Sequence, residues 1–367
     1  MKISKEILHW SPPDTFCSAS VLVSGAQCLR LGLINGFYNP GGSTIHTEFG
    51  SALGEAAGCV AEYWEEGYDV YMWNALEACL KFDVTLSEGN KDWRSLWRAL
   101  LMFKELWAHQ YSQGWRFVTA EQARKITVVR PDGTTYHIAG AQDLTLRNEH
   151  SGRYKVVDLK AVKTSYFYSW NHDIQVLVYN ILDDLLDPEP DRQYARPEFW
   201  VYETAGGVDS VDQFTVHVLE GSVIKTLIRS IPGLASTLCA EADKLKAIGT
   251  SLEAIPQLED TFDTLPANHK LCKSGNFRCF KYATCHDDTP LRPGGRTVYQ
   301  QAAELSLTAE ELTVAVDSLY SRIVDDYEAG GVSDALNVGY GITIQDAELT
   351  DALLAGQIPA RTNKLFD

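Results

Sequence analysis

Between Thr127 and Val162 the chain passes through short β-branched segments separated by tight-turn chemistry, and this stretch limits the possible folds more than any other. Residues 127–129, 136–139, 144–146 and 156–162 are too short to be helices and rich in side chains that suit a pleated surface. Pro131-Asp132-Gly133 and the run from Asn148 to Gly152 supply the turns between them. The pattern predicts a meander of antiparallel strands. Helical periodicity flanks it at 48–81, 93–113 and 169–186, the last stopped by Pro188 and Pro190. Further strands are expected at 199–204 and 214–218, and a mostly helical stretch at 222–248. Thr308 and Glu311 make a capping box in a tail that reads as a separate helical appendix. The expected fold is α/β (α+β), a mixed central sheet flanked by helices. A main domain is expected over 1–290, divided into a helical segment over 1–115, a core over 116–220 and a helical, cysteine-rich segment over 221–290, followed by a helical extension over 291–367.

The chemistry concentrates in one hairpin. From Ile138 to Val162 the sequence reads IAGAQDLTLRNEHSGRYKVVDLKAV. Two strands joined by a turn at His150 and Ser151 put Asp143 nearly opposite Asp158. Asp158 and Lys160, two residues apart, share a face. Facing carboxylates repel unless something cationic stands between them. Two acids and a lysine at one spot suit phosphodiester hydrolysis. The carboxylates would hold Mg²⁺ or Mn²⁺, the metal would activate a bound water, and Lys160 would orient that water and stabilise charge developing at phosphorus.

The net charge of −17 speaks against a protein that simply coats DNA, although it leaves room for a local basic footprint. Two such segments exist: Lys91, Arg94, Arg98 and Lys104, and Lys270, Lys273, Arg278 and Lys281. No run of about 18 apolar residues suggests a membrane span, and the first residues lack the apolar stretch of a signal peptide. The expected compartment is cytoplasmic, the host cytoplasm if the chain is phage-encoded. The eight cysteines then call for burial, metal binding or catalysis rather than disulfides. Cys272, Cys279 and Cys285 cluster and suggest a metal centre, iron–sulfur or zinc. Cys59, Cys79 and Cys239 fall in helical patterns and read as small core residues.

The order G-x-x-D (Gly140 to Asp143), D-x-K (Asp158 to Lys160) and Q-x-x-x-Y (Gln175 to Tyr179) resembles the RecB-like branch of the PD-(D/E)XK nuclease superfamily, in particular its phage-type and CRISPR-adaptation-type exonucleases. The resemblance implies a nuclease core with Asp143, Asp158, Lys160, Gln175 and Tyr179 at the active site, His172 in line on the same helix, and Glu121 at a recurrent acidic position. It also implies a [4Fe–4S] staple in which Cys28 joins Cys272, Cys279 and Cys285, with Cys17 in reserve. The implied partner is DNA, single-stranded or with free ends, in recombination, repair or phage DNA metabolism, where a partner protein is possible. One departure stands out. The branch carries G-x-x-x-H on its first helix, and here Gly54 follows Gly50 where the histidine belongs, leaving Glu55 or His46 to supply a metal ligand. The alternative expectation is a catalytically silent DNA-end-binding module of the same fold.

Overall fold

In the computed structural model of the chain, the described residues are 16–38, 45–82, 93–162, 173–189, 191–203, 213–249, 251–266, 273–274, 277–278 and 302–323. The chain opens with β1 (Phe16–Ser18), α1 (Ala19–Gln27) and α2 (Leu29–Leu33), followed by three longer helices, α3 (Ile45–Glu62), α4 (Tyr68–Cys79) and α5 (Trp93–Ser112). The expected helix 48–81 is therefore two helices. Gly67, at φ +100, turns the chain between them, a conformation open to glycine and costly for other residues.

The meander is built from strands longer than those expected. β2 (Trp115–Val129) pairs antiparallel with β3 (Thr135–Asn148), which pairs antiparallel with β4 (Tyr154–Val162). After α6 (Asp173–Leu186), β5 (Glu198–Glu203) runs parallel to β4, and β6 (Gln213–Val218) returns antiparallel to β5. Next come α7 (Gly221–Ile228), α8 (Ile231–Ile248), α9 (Ile255–Thr264) and the two-residue strands β7 (Lys273–Ser274) and β8 (Phe277–Arg278). Residues 221–248 together are long and apolar enough to cross a membrane by composition. They form two helices, however, and Ile224, Ile228, Ala235, Leu238 and Leu245 join a core cluster.

The tail read as a separate appendix contributes to the main sheet. β9 (Ala303–Thr308) pairs parallel with the outer edge of β2, giving the order β6-β5-β4-β3-β2-β9. The expected capping box is present: Thr308 Oγ1 accepts from the Glu311 N–H at 3.1 Å and starts α10 (Ala309–Arg322). Residues 324–367 lie outside the described residues.

Alternation along β5 defines the two faces. Phe199 and Val201 enter one core with α1, α6, α7, α8 and α10, while Trp200 and Tyr202 enter a second core with α3, α4 and α5. On the first face Asp183 of α6, 1% exposed, accepts from Arg192 Nη2 at 2.5 Å and Tyr194 Oη at 3.2 Å, and stands 3.4 Å from Arg124 of β2. Beside it Asp184 takes Arg322 of α10 at 2.5 Å.

One irregularity positions the site. Arg124 reaches Asp183, and Ile126 and Val128 lie in the first core, but Ala120, also even-numbered, packs in the second. On β3, Tyr136 and Ile138 lie in the first core and Gln142 reaches Asp183, whereas Leu144 and Leu146 lie in the second. Both strands invert their alternation at facing positions, Glu121 and Asp143, and Glu121 carries the backbone signature at φ +48.

Candidate active site

The inversion coincides with a split in the sheet. The β3–β4 ladder runs from Arg147↔Tyr154 to Leu144↔Val157 and stops, while β1 takes the same strand at His137, Ile138 and Ala139. Continuing the register puts Asp143 opposite Asp158. Where the next ladder bond would lie, the Asp143 carboxylate accepts the Leu159 N–H through Oδ2 at 2.5 Å. A carboxylate thus satisfies a backbone donor that the splayed strand cannot.

Asp158 is fully buried, and its Oδ2 lies 2.5 Å from Lys160 Nζ. Neither oxygen of Asp158 has a well-directed hydrogen bond, so the contact is an ion pair made by proximity. Burial pulls the Lys160 ammonium downward, but Asp158, Asp143 and Glu121 outweigh it and hold the group above its ordinary value. Asp143 goes the other way: burial and then Asp158 push its carboxyl up to about 7, against Lys160 and the Leu159 N–H.

Glu121 completes the group. Its stem is exposed, but its carboxyl turns in over α3, where burial and then the charges of Asp143, Glu55 and Asp158 push it up to about 9. A Cβ on Gly54 would stand 2.5 Å from Glu121 Oε1. Gly54 is thus the seat of the Glu121 carboxyl, and a histidine there would displace it. Gly54→Ala is expected to leave stability unchanged or raise it by about 1 kcal/mol, because a helix-interior glycine is replaced and the obstructing atom ends a flexible side chain. Its effect on site chemistry should match that of Glu121→Ala, and the double variant should show no further change. Additive effects in that cycle would separate the two residues.

Gln175 and Tyr179 stand together: Gln175 Nε2 donates to Tyr179 Oη at 2.7 Å. The Tyr179 ring lies on Gly140, where a Cβ would come within 2.6 Å of it. The glycine of the G-x-x-D run therefore seats the tyrosine of α6 against β3. His172, and the side chain of His46, lie outside the described residues.

The sequence matches no family model and no curated protein. Among the described residues, no three His, Cys, Asp or Glu side chains are grouped so as to hold a metal ion. The assignment to the PD-(D/E)XK nucleases is withdrawn on these findings, and with it the family-specific core and the iron–sulfur staple expected of the fold. A mixed sheet between helical layers stands. The Mg²⁺ or Mn²⁺ site expected from Asp143, Asp158 and Glu55 is also withdrawn. The Lys160 ammonium takes the place of a cation beside Asp158, Asp143 is engaged by a backbone N–H, and Glu55 is drawn to Lys81 at 3.0 Å. The four-cysteine [4Fe–4S] cluster and its zinc alternative fall with the same finding. The Cys28 thiol contacts the Pro266 carbonyl at 4.0 Å, Cys17 pairs with Cys239, and Cys272, Cys279 and Cys285 lie outside the described residues.

Sequence reasoning reached Asp143, Asp158 and Lys160 by counting residues. It gave no bottom-up signal for Glu121, because a positive φ in a polar stretch of strand leaves no pattern in the sequence.

Proposed function

We propose that the chain hydrolyses phosphodiester bonds in DNA, with Asp143 as general base and Lys160 stabilising the charge that develops on the phosphoryl oxygens. The observation that carries this reading is the pairing of opposite needs on two facing strands. Burial and Asp158 push the Asp143 carboxyl up to about 7, which suits it to accept a proton at neutral pH, while Lys160, two residues beyond the position facing it, is held ionised by the surrounding acids. Asp158 positions and charges Lys160, and Glu121, protonated up to about 9, closes the site from the side of α3.

The test is cleavage of end-labelled DNA by the whole chain, with added Mg²⁺ and separately in excess EDTA. Linear and closed circular single strands separate attack at ends from internal attack. Wild-type cleavage that Asp143→Asn abolishes is the expected result. No wild-type cleavage in either buffer, or an Asp143→Asn variant as fast as wild type, sinks the reading. A second reading, a DNA-end-binding module that does not cleave, is favoured by the direct Lys160–Asp158 contact, which occupies both groups. Its signature is binding of labelled ends without products.

The pH dependence has opposite signs for rate and stability. As a base, Asp143 should give a rate that rises with pH through about 7. For folding, a carboxyl raised above its unfolded value contributes stability that is full below the unfolded pKa and lost as pH rises through the folded one. Stability should therefore fall from about pH 4, steeply to about pH 7 while both Asp143 and Glu121 hold protons that the unfolded chain has lost, and more gently from there to about pH 9, where only Glu121 still does. Urea unfolding of wild type and Asp143→Asn across that range checks it, and the fall below pH 7 should be shallower in the variant.

A further inference from the structure

Away from the candidate active site, two thiols meet inside the first core. Cys17 of β1 and Cys239 of α8 are both fully buried, lie 222 residues apart in sequence, and bring their sulfurs to 3.2 Å. Cys17 Sγ also points at the Ala235 carbonyl oxygen, one turn earlier on α8, at 3.9 Å. A disulfide needs its sulfurs at roughly 2.05 Å, so about 1.2 Å of closure would complete the bond. Small core cysteines have no need of each other, and an alanine or valine would fill either position.

We propose that Cys17 and Cys239 are an oxidative modification site at which a peroxide closes an intrachain disulfide between β1 and α8. One sulfur, as thiolate, attacks a peroxide oxygen and expels the other oxygen as water, becoming a sulfenic acid. The second sulfur attacks the sulfenic sulfur and releases water. Two thiols and one hydrogen peroxide give one disulfide and two waters; sulfur is oxidised and peroxide reduced.

The fold provides access. β1 is three residues long and, among the described residues, pairs only with β3, at His137, Ile138 and Ala139. Short elements held by few ladder pairs open locally far more often than the whole chain unfolds. Opening of β1 exposes Cys17 and uncovers Cys239, and reclosure returns the sulfurs to contact. While closed, burial and the neighbouring thiol hold Cys239 well above the usual thiol range, which slows reaction until the strand opens. Once formed, the bond ties the first described strand to a helix more than 200 residues later and prevents β1 from opening.

The experiment treats the whole native chain with hydrogen peroxide, blocks the remaining thiols, digests without reduction and maps linked peptides by mass. The expected product joins the Cys17 and Cys239 peptides with loss of two hydrogens. The melting temperature should rise by several degrees, return on reduction, and stay unmoved by peroxide in Cys239→Ala. The half-exposed Cys28 is the internal control, since it reacts without any opening of β1. Oxidation of Cys28 without a Cys17–Cys239 link, or a link that forms only in urea, overturns the proposal. Because mapping needs neither DNA nor turnover, failure of the hydrolase reading leaves this result untouched.

Discussion

Lys160→Ala is expected to lose DNA cleavage by about two to three orders of magnitude, the usual result of removing a group that stabilises transition-state charge. It should also cost about 3–5 kcal/mol of stability, because it strands a buried carboxylate. The second effect follows from the surroundings of Asp158, which is wholly shielded from solvent, has no well-directed hydrogen bond, and meets Lys160 at 2.5 Å. The double variant Asp158→Asn with Lys160→Met removes both charges and should recover most of the lost stability, since exchanging a buried ion pair for neutral groups is often close to neutral. It should recover no activity. Urea unfolding and the cleavage assay on the same preparations separate the effects. A Lys160→Ala protein as stable as wild type would mean that Asp158 does not depend on Lys160 in the fold, and the site would have to be reassigned.

Arg192→Ala should be the most damaging single change on the other face of the sheet. Its guanidinium is stacked 3.7 Å from the Tyr154 ring, donates to the buried Asp183 at 2.5 Å and to the Asp187 carbonyl at 2.9 Å. Truncation leaves Asp183 with Arg124 at 3.4 Å as its remaining cation, at a cost of about 3–5 kcal/mol. The urea midpoint should drop while the slope of the transition stays constant, because the surface exposed on unfolding is the same. A loss below about 1 kcal/mol would show that Arg124, Tyr194, Gln142 and Thr145 satisfy Asp183 without Arg192.

The turn at His150 and Ser151 was legible because its residues are turn formers, and two-residue alternation then fixed which groups could meet. β5 and β6 were legible as β-branched and aromatic runs. The first dozen residues of β2 were not, because Arg116, Glu121, Gln122, Arg124 and Lys125 make a polar stretch whose strand character comes from pairing with β3 on one side and, toward its end, β9 on the other. β9 itself was hidden, since a six-residue strand beside a capped helix joins the sheet only through a partner about 180 residues earlier. The family assignment failed for a physical reason as well. Short motifs such as D-x-K and G-x-x-D recur by chance, and the glycine that broke the expected pattern at position 54 of α3 proved to be the seat of an acid from β2.

Apart from a bulge between Phe117 and Thr119, the hairpin of β2 and β3 behaves as two ribbons spliced out of phase. Ala120 and Gln122 would be correctly in step if Glu121 were absent, and Gln142 and Leu144 if Asp143 were absent. These two residues face each other, so they act as a matched pair of insertions, each cancelling the slip of the other. A chain lacking both should form a shorter hairpin, still bulged at Phe117 and Thr119, with the same two hydrophobic faces turned the same way. The two hydrophobic faces are set without either residue, so what Glu121 and Asp143 bring to the sheet is their carboxyl groups, one of which caps the Leu159 N–H.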